Sequence, residues 1–328
     1  MRVFMLLVAA LALMAVTPPS WAQDQQKLVR VAMVRGGNPG PDPVREAFVE
    51  GMRALGYVEG RNIVYEFRYA AGNDAALLRQ HMHDVVHMPV DIIVTGGTPA
   101  GLAARAAPPT IPIVLSALSD PVVVGLAASL ARPGGNVTGF TTQVEGGGIE
   151  AERIVMLKEI MPGLRRIGLL HNPNNPGGVV PTQAMGAAAR ELGIAATVFE
   201  ARRAEDVEPV FEAMGAAAVE AVAVEDDGTL NTSRALIAAQ AARRRLPLVC
   251  GFREFVHAGC LLSYAVDYRD NARRAAGYVD KILKGATPGE LPFQQPTKFD
   301  LLLNMKTAKM LGLTVPAIVM IRANEVIE

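Results

Sequence analysis

The second half of this chain repeats the order of strand and helix patterns found in the first half, and this repeat constrains the fold more than any other feature. Four short apolar segments recur in the same order, about 130 to 137 residues further along. Arg30–Val34 and Arg166–Leu170 are the clearest pair. Because strands alternate with helices throughout, the pattern predicts βαβ units and parallel sheets. We therefore predict two similar doubly wound α/β lobes; chance similarity between short apolar strands is the alternative.

The glycine-rich passage Ala131–Phe140 falls where the first lobe should end, and a strand and a helix remain after both repeats are complete. The simplest arrangement has the chain crossing between lobes three times, near Thr141, Tyr264 and Gln294. A three-segment hinge of this kind creates a cleft that can close on a ligand. The predicted first lobe comprises residues 23–141 with 265–293, and the predicted second lobe residues 142–264 with 294–328.

Residues 1–22 have the pattern of a secretory signal peptide: a basic start, an apolar run and the small residues Ser20 and Ala22 before a cut at Gln23. A lipoprotein would need a cysteine at the cut, and none is present. No later run reaches the roughly 18 apolar residues of a membrane span. We therefore expect a soluble, exported, periplasmic protein, cleaved between Ala22 and Gln23. Its mature form would lose the only tryptophan, Trp21.

Two cysteines, Cys250 and Cys260, remain in what would be an oxidising compartment. Cys250 closes one predicted strand and Cys260 opens the next. In parallel neighbours those ends lie beyond the ~7 Å Cα separation that a disulfide can bridge. The sequence therefore favours two separate thiols.

The usual enzyme and cofactor signatures are absent from the sequence. The segment RGGNPG (35–40) lacks the third glycine of a dinucleotide fingerprint, and no Walker A, GxSxG or HExxH sequence occurs. His83 and His87 could grip a metal at their i, i+4 spacing, but histidines also suit a helix C-terminus. With 32 basic and 32 acidic residues, the chain gives no support to a nucleic-acid partner. We predict no cofactor and no metal; an enzyme with Asp226 or His171 as general base is the alternative.

The stretch DIIVTGGTPAGLAA (91–104) predicts a buried strand, a glycine turn and a helix. Thr98 is a good N-cap, and Pro99 then stands at the first helical position. The free N–H groups beyond the strand's carboxyl end could hold a carboxylate or phosphate, in the crevice where open α/β sheets bind ligands. An ordinary strand–turn–helix connection is the alternative.

Polar residues also follow the other predicted strands, on the same side of both sheets. Donors near Thr98 suit an anionic group, while Asp120 or Asp226 suits an ammonium, and that combination describes an amino acid or a similar zwitterion. The acidic turn 225–229 would face Thr98 from across the cleft. The candidate ligand-binding residues are Asn38, Gly97, Thr98, Pro99, Ser119, Asp120, Asn172, Asp226, Asp227, Tyr264 and Asp267.

Several segments resemble one known family: GGTPAGLAA (96–104), ARPGGNVTGF (131–140) and QQPTKFDLLLN (294–304). The chain is similar along nearly its whole mature length to ABC transporter substrate-binding proteins of the tryptophan/tyrosine-type uptake family, which have the type I periplasmic-binding-protein fold. The resemblance implies a receptor without catalysis that delivers a small solute to a membrane permease and its ATPase. It carries the family's GTPA turn onto residues 97–100, its SDP onto residues 119–121 and its acidic turn onto Asp226-Asp227.

From these observations we expect a monomeric periplasmic receptor of an ABC importer. It would bind a small zwitterionic or anionic, amino-acid-like ligand between its lobes, with a transmembrane permease and its ATPase as partners. A sensor-type receptor that reports to a membrane signalling partner is the alternative.

Overall fold

The computed structural model describes residues 28–144 and 148–328 of the chain. The predicted signal peptide, residues 1–22, lies outside this part. In the described residues no helix has the length and apolar character needed to cross a membrane.

The first sheet contains five parallel strands in the order β2-β1-β3-β4-β5. Helices cover both of its faces, so its inner strands are apolar on both sides, whereas the edge strand Ile63–Ala70 also carries the ion pair of Glu66 and Arg68. The elements of this half are β1 (Val29–Gly36), α1 (Pro43–Ala54), β2 (Ile63–Ala70), α2 (Ala75–Val86), β3 (Ile92–Gly96), α3 (Thr98–Ala104), β4 (Ile113–Leu118) and β5 (Val137–Thr141).

The second sheet contains seven strands in the order β12-β11-β10-β9-β8-β6-β7. Five of them repeat the arrangement of the first sheet, because β7-β6-β8-β9-β10 corresponds to β2-β1-β3-β4-β5. The prediction of two similar doubly wound lobes is therefore confirmed. The strands are β6 (Arg166–His171), β7 (Ala195–Glu200), β8 (Ala221–Val224), β9 (Leu248–Cys250), β10 (Leu262–Val266), β11 (Phe299–Asn304) and β12 (Glu325–Ile327).

Two strands extend the second sheet beyond the repeat. β11 pairs antiparallel with β10, and β12 pairs parallel with β11. The all-parallel prediction is wrong for β11, which enters from the opposite end because the chain returns to this sheet from the first lobe. The helices of this half are α4 (Gly148–Ile160), α5 (Val179–Glu191), α6 (Val207–Ala216), α7 (Gly228–Thr232), α8 (Arg234–Arg243), α9 (Arg253–Ala258), α11 (Met305–Leu311) and α12 (Ala317–Arg322).

Helix α10 (Tyr268–Leu283) follows β10 of the second sheet but packs on the first sheet. Its small and apolar residues recur at helical spacing, and Ala272, Ala276 and Val279 are all fully buried. The approach to α1 is close: a β-carbon at Gly51 would lie 2.9 Å from the Ala276 side chain.

The chain passes between the two sheets at three places: after β5, after β10 and before β11. The first and third passages are hydrogen-bonded to each other, because Thr141 donates its N–H to the Gln294 carbonyl at 3.0 Å and Gln294 donates to Gly139 at 2.9 Å. Tying these passages together gives the connection between the lobes a defined geometry.

Cys250 and Cys260 are unbridged thiols in the described structure, and both are fully buried. Their sulfurs nevertheless converge, since both thiols donate to the Leu262 carbonyl, at 3.4 and 3.2 Å. The expectation that the two side chains lie far apart is therefore wrong. Cys260 lies in the turn before β10, from which its thiol also reaches the Leu248 carbonyl on β9.

Candidate ligand-binding site

The carboxyl ends of the two sheets face each other, and the two halves touch there directly. The Thr229 hydroxyl of the second half donates to the Gly72 carbonyl of the first. The Asn73 side chain lies so close to Gly36 and Gly228 that a β-carbon at either glycine would overlap it. A second contact, between Gly177 and Thr98, lies beside this one. We call the two contacts together the interlobe seam.

Helix α3 supplies the first half's second contribution to the seam. Thr98 is 4% exposed, and a β-carbon at Gly177 would overlap its hydroxyl. The helix begins at Thr98, so Gly97 is its N-cap rather than Thr98, and no described side chain caps it. The predicted cap position is therefore wrong by one residue. The reason is the backbone of Gly97, whose φ of 87° is available to glycine and turns the chain one residue earlier.

Asp227 lies on the second half's side of the seam and is 1% exposed. Its Oδ1 accepts hydrogen bonds from the N–H groups of Thr229 (2.8 Å) and Leu230 (3.0 Å), and from Asn172 Nδ2 (3.0 Å). Its Oδ2 is buried and has no hydrogen-bond partner among the described residues. Burying an acceptor without a donor is costly, so this oxygen has capacity for a donor from a bound molecule.

Glu225 lies beneath the seam and is also 1% exposed. Its Oε2 accepts from His171 Nδ1 at 2.5 Å and from the Asn172 N–H at 2.9 Å, and its Oε1 accepts from Asn175 Nδ2 at 3.0 Å. Burial raises the pKa of Glu225 to about 6. The hydrogen bond to Glu225 raises the pKa of His171. His171, the alternative general base, is thus hydrogen-bonded to a buried carboxyl group.

Asp226 is paired with Arg153 rather than with groups at the seam. The Arg153 guanidinium is fully buried and donates to both Asp226 oxygens, at 2.8 and 2.7 Å. Its Nε donates to the Tyr264 carbonyl at 2.7 Å. The expectation that Asp226 receives an ammonium is therefore not supported, because an arginine already neutralises it. Sequence reasoning missed Arg153, which lies inside α4 where no strand end or turn marks it.

Ser119 and Asp120 lie near the first and third passages between the sheets. Asp120 Oδ1 caps the following turn, accepting from Val122 N–H at 2.8 Å, and Ser119 offers its carbonyl to the Thr141 hydroxyl. Asp120 also lines a cavity of about 130 Å³ together with Gln143 and Gln295. These two candidates therefore belong to the hinge region.

The remaining candidates are scattered around the site. Asn38 is exposed in the loop after β1, Gly97 is exposed and Pro99 is half-buried beside Thr98. Asp267 caps α10 by accepting from the Arg269 N–H at 3.0 Å, and the Tyr264 ring packs against Phe299. The structure thus brings Thr98, Asn172 and Asp227 to the seam and leaves Tyr264 and Asp267 at the second passage.

Within residues 28–144 and 148–328, no group of three or more histidine, cysteine or acidic side chains is arranged to hold a metal. The His83 and His87 rings are 4.4 Å apart at the end of α2, and His87 Nδ1 lies 2.7 Å from the His83 carbonyl. This arrangement is that of a helix C-terminus.

The family model for ABC transporter substrate binding proteins matches residues 31–327. A relative named tyrosine-binding protein, from Clostridioides difficile strain R20291, is 23% identical over 276 residues, which are 84% of this chain and 78% of the relative. Among solved structures, a conserved domain protein from Vibrio cholerae has a TM-score of 0.85 and 29% identity, covering 92% of this chain and 100% of its own.

Two further solved structures differ in their ligand state. An ABC domain from Streptococcus pneumonia in complex with L-Trp has a TM-score of 0.85 and 22% identity, covering 91% of this chain and 99% of its own. A substrate binding protein with adhesive properties from Clostridium difficile, in a ligand-free, open structure, has a TM-score of 0.66 and 23% identity, with coverage of 91% and 99%. The match to the family model over nearly the whole described chain decides the family: the protein belongs to the ABC transporter substrate-binding proteins.

Proposed function

We propose that the protein binds a small amino-acid-like zwitterion in the interlobe cleft and delivers it to the permease of an ABC importer. Substrate-binding proteins of this family bind small solutes outside the cytoplasm and work with a membrane permease. We further propose that the protein is periplasmic after cleavage near Gln23 and that it is monomeric. Its two lobes would comprise residues 23–141 with 265–293 and residues 142–264 with 294–328.

The observation that carries the proposal is the unpartnered Oδ2 of Asp227. This carboxylate is 1% exposed, its other oxygen is saturated by three donors, and it lies beside Thr229 at the seam. A ligand ammonium is the donor that such an oxygen favours, because a charge-assisted hydrogen bond compensates for a buried charge. Asp226 is less suited to this role, because the Arg153 guanidinium already neutralises its charge and donates to both of its oxygens.

The opposite wall supports recognition of an anionic group. Thr98 and the turn at Gly97 lie across the seam from the second half, and the carboxylate of an amino acid would suit the hydroxyl and N–H donors there. The names of two relatives agree with an amino-acid ligand, since one is called a tyrosine-binding protein and another is a complex with L-Trp.

The conformation supports a cleft that closes. The seam contacts are those of a closed form, and the TM-score of 0.85 to the L-Trp complex exceeds the 0.66 to the ligand-free, open protein at nearly equal identity. Ligand contacts made by both lobes are complete only in the closed form, so a ligand selects that form.

The experiment is a thermal-shift screen of the amino acids on residues 23–328 after bound ligand has been stripped by unfolding and refolding. A ligand that binds only the folded protein adds RT ln(1 + [L]/Kd) to its free energy of unfolding and so raises its melting temperature. Isothermal titration of the best ligand to Asp227→Asn should then show a Kd weaker by about 10- to 100-fold. Asp206→Asn, in the 3-10 turn before α6 of the same lobe and 28% exposed, is the matched control. No shift with any amino acid would remove the ligand class, and an unchanged Kd in Asp227→Asn would remove the ammonium site.

A further inference from the structure

The carboxyl group of Glu225 organises the segment from His171 to Gly178. It accepts hydrogen bonds from His171, from the Asn172 N–H and from the Asn175 side chain. The 3-10 turn that follows Asn175 packs directly on the same group, because a β-carbon at Gly178 would overlap it. A single buried side chain therefore fixes both ends of this segment.

The same segment forms the second lobe's surface at the seam. Gly177 lies against Thr98 of the first lobe. Asn172 Nδ2 donates to Asp227 Oδ1 at 3.0 Å and approaches the Thr229 hydroxyl at 3.3 Å, and that hydroxyl in turn reaches Gly72. Gly177, which meets Thr98, therefore lies in the segment that Glu225 fixes. Thr229, which meets Gly72, is approached by Asn172 of the same segment.

We propose that Glu225 is a positioning residue for lobe closure, which acts by presenting residues 172–178 in the shape that the first lobe accepts. Its hydrogen-bond partners in the described structure all lie in the second lobe, so its effect on the cleft passes through Asn172, Asn175 and Gly178. The consequence for ligand affinity rests on the function proposed above; the effect on closure does not.

The charged residues around Glu225 determine which control variant is suitable. His171 on β6 and Asp227 at the start of α7 face it within the core, and Glu200 on β7 acts on His171 from the exposed end of its strand. Glu200 is paired with Arg202 at 2.6 Å and is about half exposed. Glu200→Ala removes a nearby negative charge without touching residues 172–178, and so separates electrostatics from positioning.

The first test measures amide hydrogen exchange of residues 172–178 in ligand-free wild type, Glu225→Ala, Glu225→Gln and Glu200→Ala. Loss of the carboxylate should speed exchange across this segment at least about tenfold in Glu225→Ala. Glu225→Gln keeps an acceptor of the same shape and should restore part of the protection. Glu200→Ala should match wild type.

The second test measures closure directly, by the spin–spin distance between labels at Val123→Cys and Ile321→Cys. Both positions are well exposed, at 68% and 82%, and the native cysteines are fully buried and so protected from labelling. With and without L-tyrosine or L-tryptophan, Glu225→Ala should favour the longer, open distance relative to wild type and Glu200→Ala.

The outcomes are distinguishable. A folded Glu225→Ala with wild-type exchange and wild-type distances would overturn the proposal. If Glu225→Ala does not fold, Glu225→Gln decides, and wild-type exchange in that variant would overturn it. Should neither amino acid bind, the exchange and the ligand-free distances still test Glu225, and only the amino-acid assignment fails.

Discussion

Gly177 of the second lobe lies directly on Thr98 of the first, so closely that a β-carbon at position 177 would overlap the threonine hydroxyl. Gly36 and Gly228 are packed in the same way around the Asn73 side chain. The lobes therefore meet through glycine backbone, which allows an approach that any larger residue would prevent. This relationship makes closure sensitive to single methyl groups.

The first prediction concerns Gly177→Ala. The added methyl group should need only a small shift of the Asn175 side chain, 3.2 Å away in its own lobe, but should overlap Thr98 whenever the lobes close. Ligand affinity should therefore fall by about tenfold or more while the melting temperature stays near that of wild type. Gly215→Ala, in α6 of the same lobe, is the control because its β-carbon would meet no described atom within 4 Å. Isothermal titration provides the measurement, and equal affinities for the two variants would refute the importance of this contact.

A second prediction concerns the hydrogen bond across the seam. Thr229→Val keeps the shape of the side chain but removes the hydroxyl that donates to Gly72. The net value of such a bond is about 1 kcal/mol, so we expect a roughly fivefold loss of affinity. Thr232→Val is the control, because the Thr232 hydroxyl donates to the Gly228 carbonyl within α7 and not across the seam. Wild-type affinity in Thr229→Val would mean that this bond does not stabilise the closed form.

A third prediction concerns the buried pair of Arg153 and Asp226. Arg153→Leu strands the Asp226 carboxylate, whose side chain is only 17% exposed, and should lower the free energy of unfolding by about 3–5 kcal/mol. Arg322→Leu, which breaks the exposed pair with Glu152, should cost less than about 1 kcal/mol. Urea denaturation measures both. Similar losses in the two variants would show that burial adds nothing to the Arg153 pair.

A fourth prediction concerns pH. The pKa of Glu225 is raised from 4.5 to about 6 by burial, so its contribution to stability is complete below about pH 4.5 and is lost as the pH rises through 6. The pKa of His171 is also raised, by its hydrogen bond to Glu225, and its contribution is lost as the pH rises above 6.5. Both effects have the same sign.

Wild type should therefore lose at least about 1 kcal/mol of stability between pH 5 and pH 8 relative to the double variant His171→Gln/Glu225→Gln. Denaturation curves for the two proteins at both pH values give this difference. A wild type that gains stability relative to the variant as the pH rises would contradict the raised pKa of Glu225.

The strands of both lobes and their repeat along the chain were predictable because apolar runs of strand length depend only on local sequence. The antiparallel entry of β11 was not, since the direction of a final strand depends on where a returning chain meets the sheet. Placing the cap of α3 failed for a local reason: proline is acceptable at either of the first two helical positions, so Pro99 could not distinguish Gly97 from Thr98 as the cap.

Residues of the candidate site were predictable only where a polar side chain directly follows the end of a strand. Thr98, Asn172 and Asp227 meet that rule and lie at the seam. Arg153 and Gly177 do not, because a buried arginine inside a helix and a glycine in a turn acquire their roles from tertiary neighbours. Choosing between the adjacent acids Asp226 and Asp227 likewise required the position of Arg153.

The measurement that tests the account most directly is a titration of the stripped protein with three related compounds: L-tyrosine, N-acetyl-L-tyrosine and tyramine, or the matching L-tryptophan series if that ligand gives the larger thermal shift. The account predicts that the amino acid binds, and that loss of either the ammonium or the carboxylate weakens binding by about 10- to 100-fold. An N-acetylated ligand that binds as tightly as the free amino acid would contradict the role of Asp227 and, with it, the zwitterion proposal.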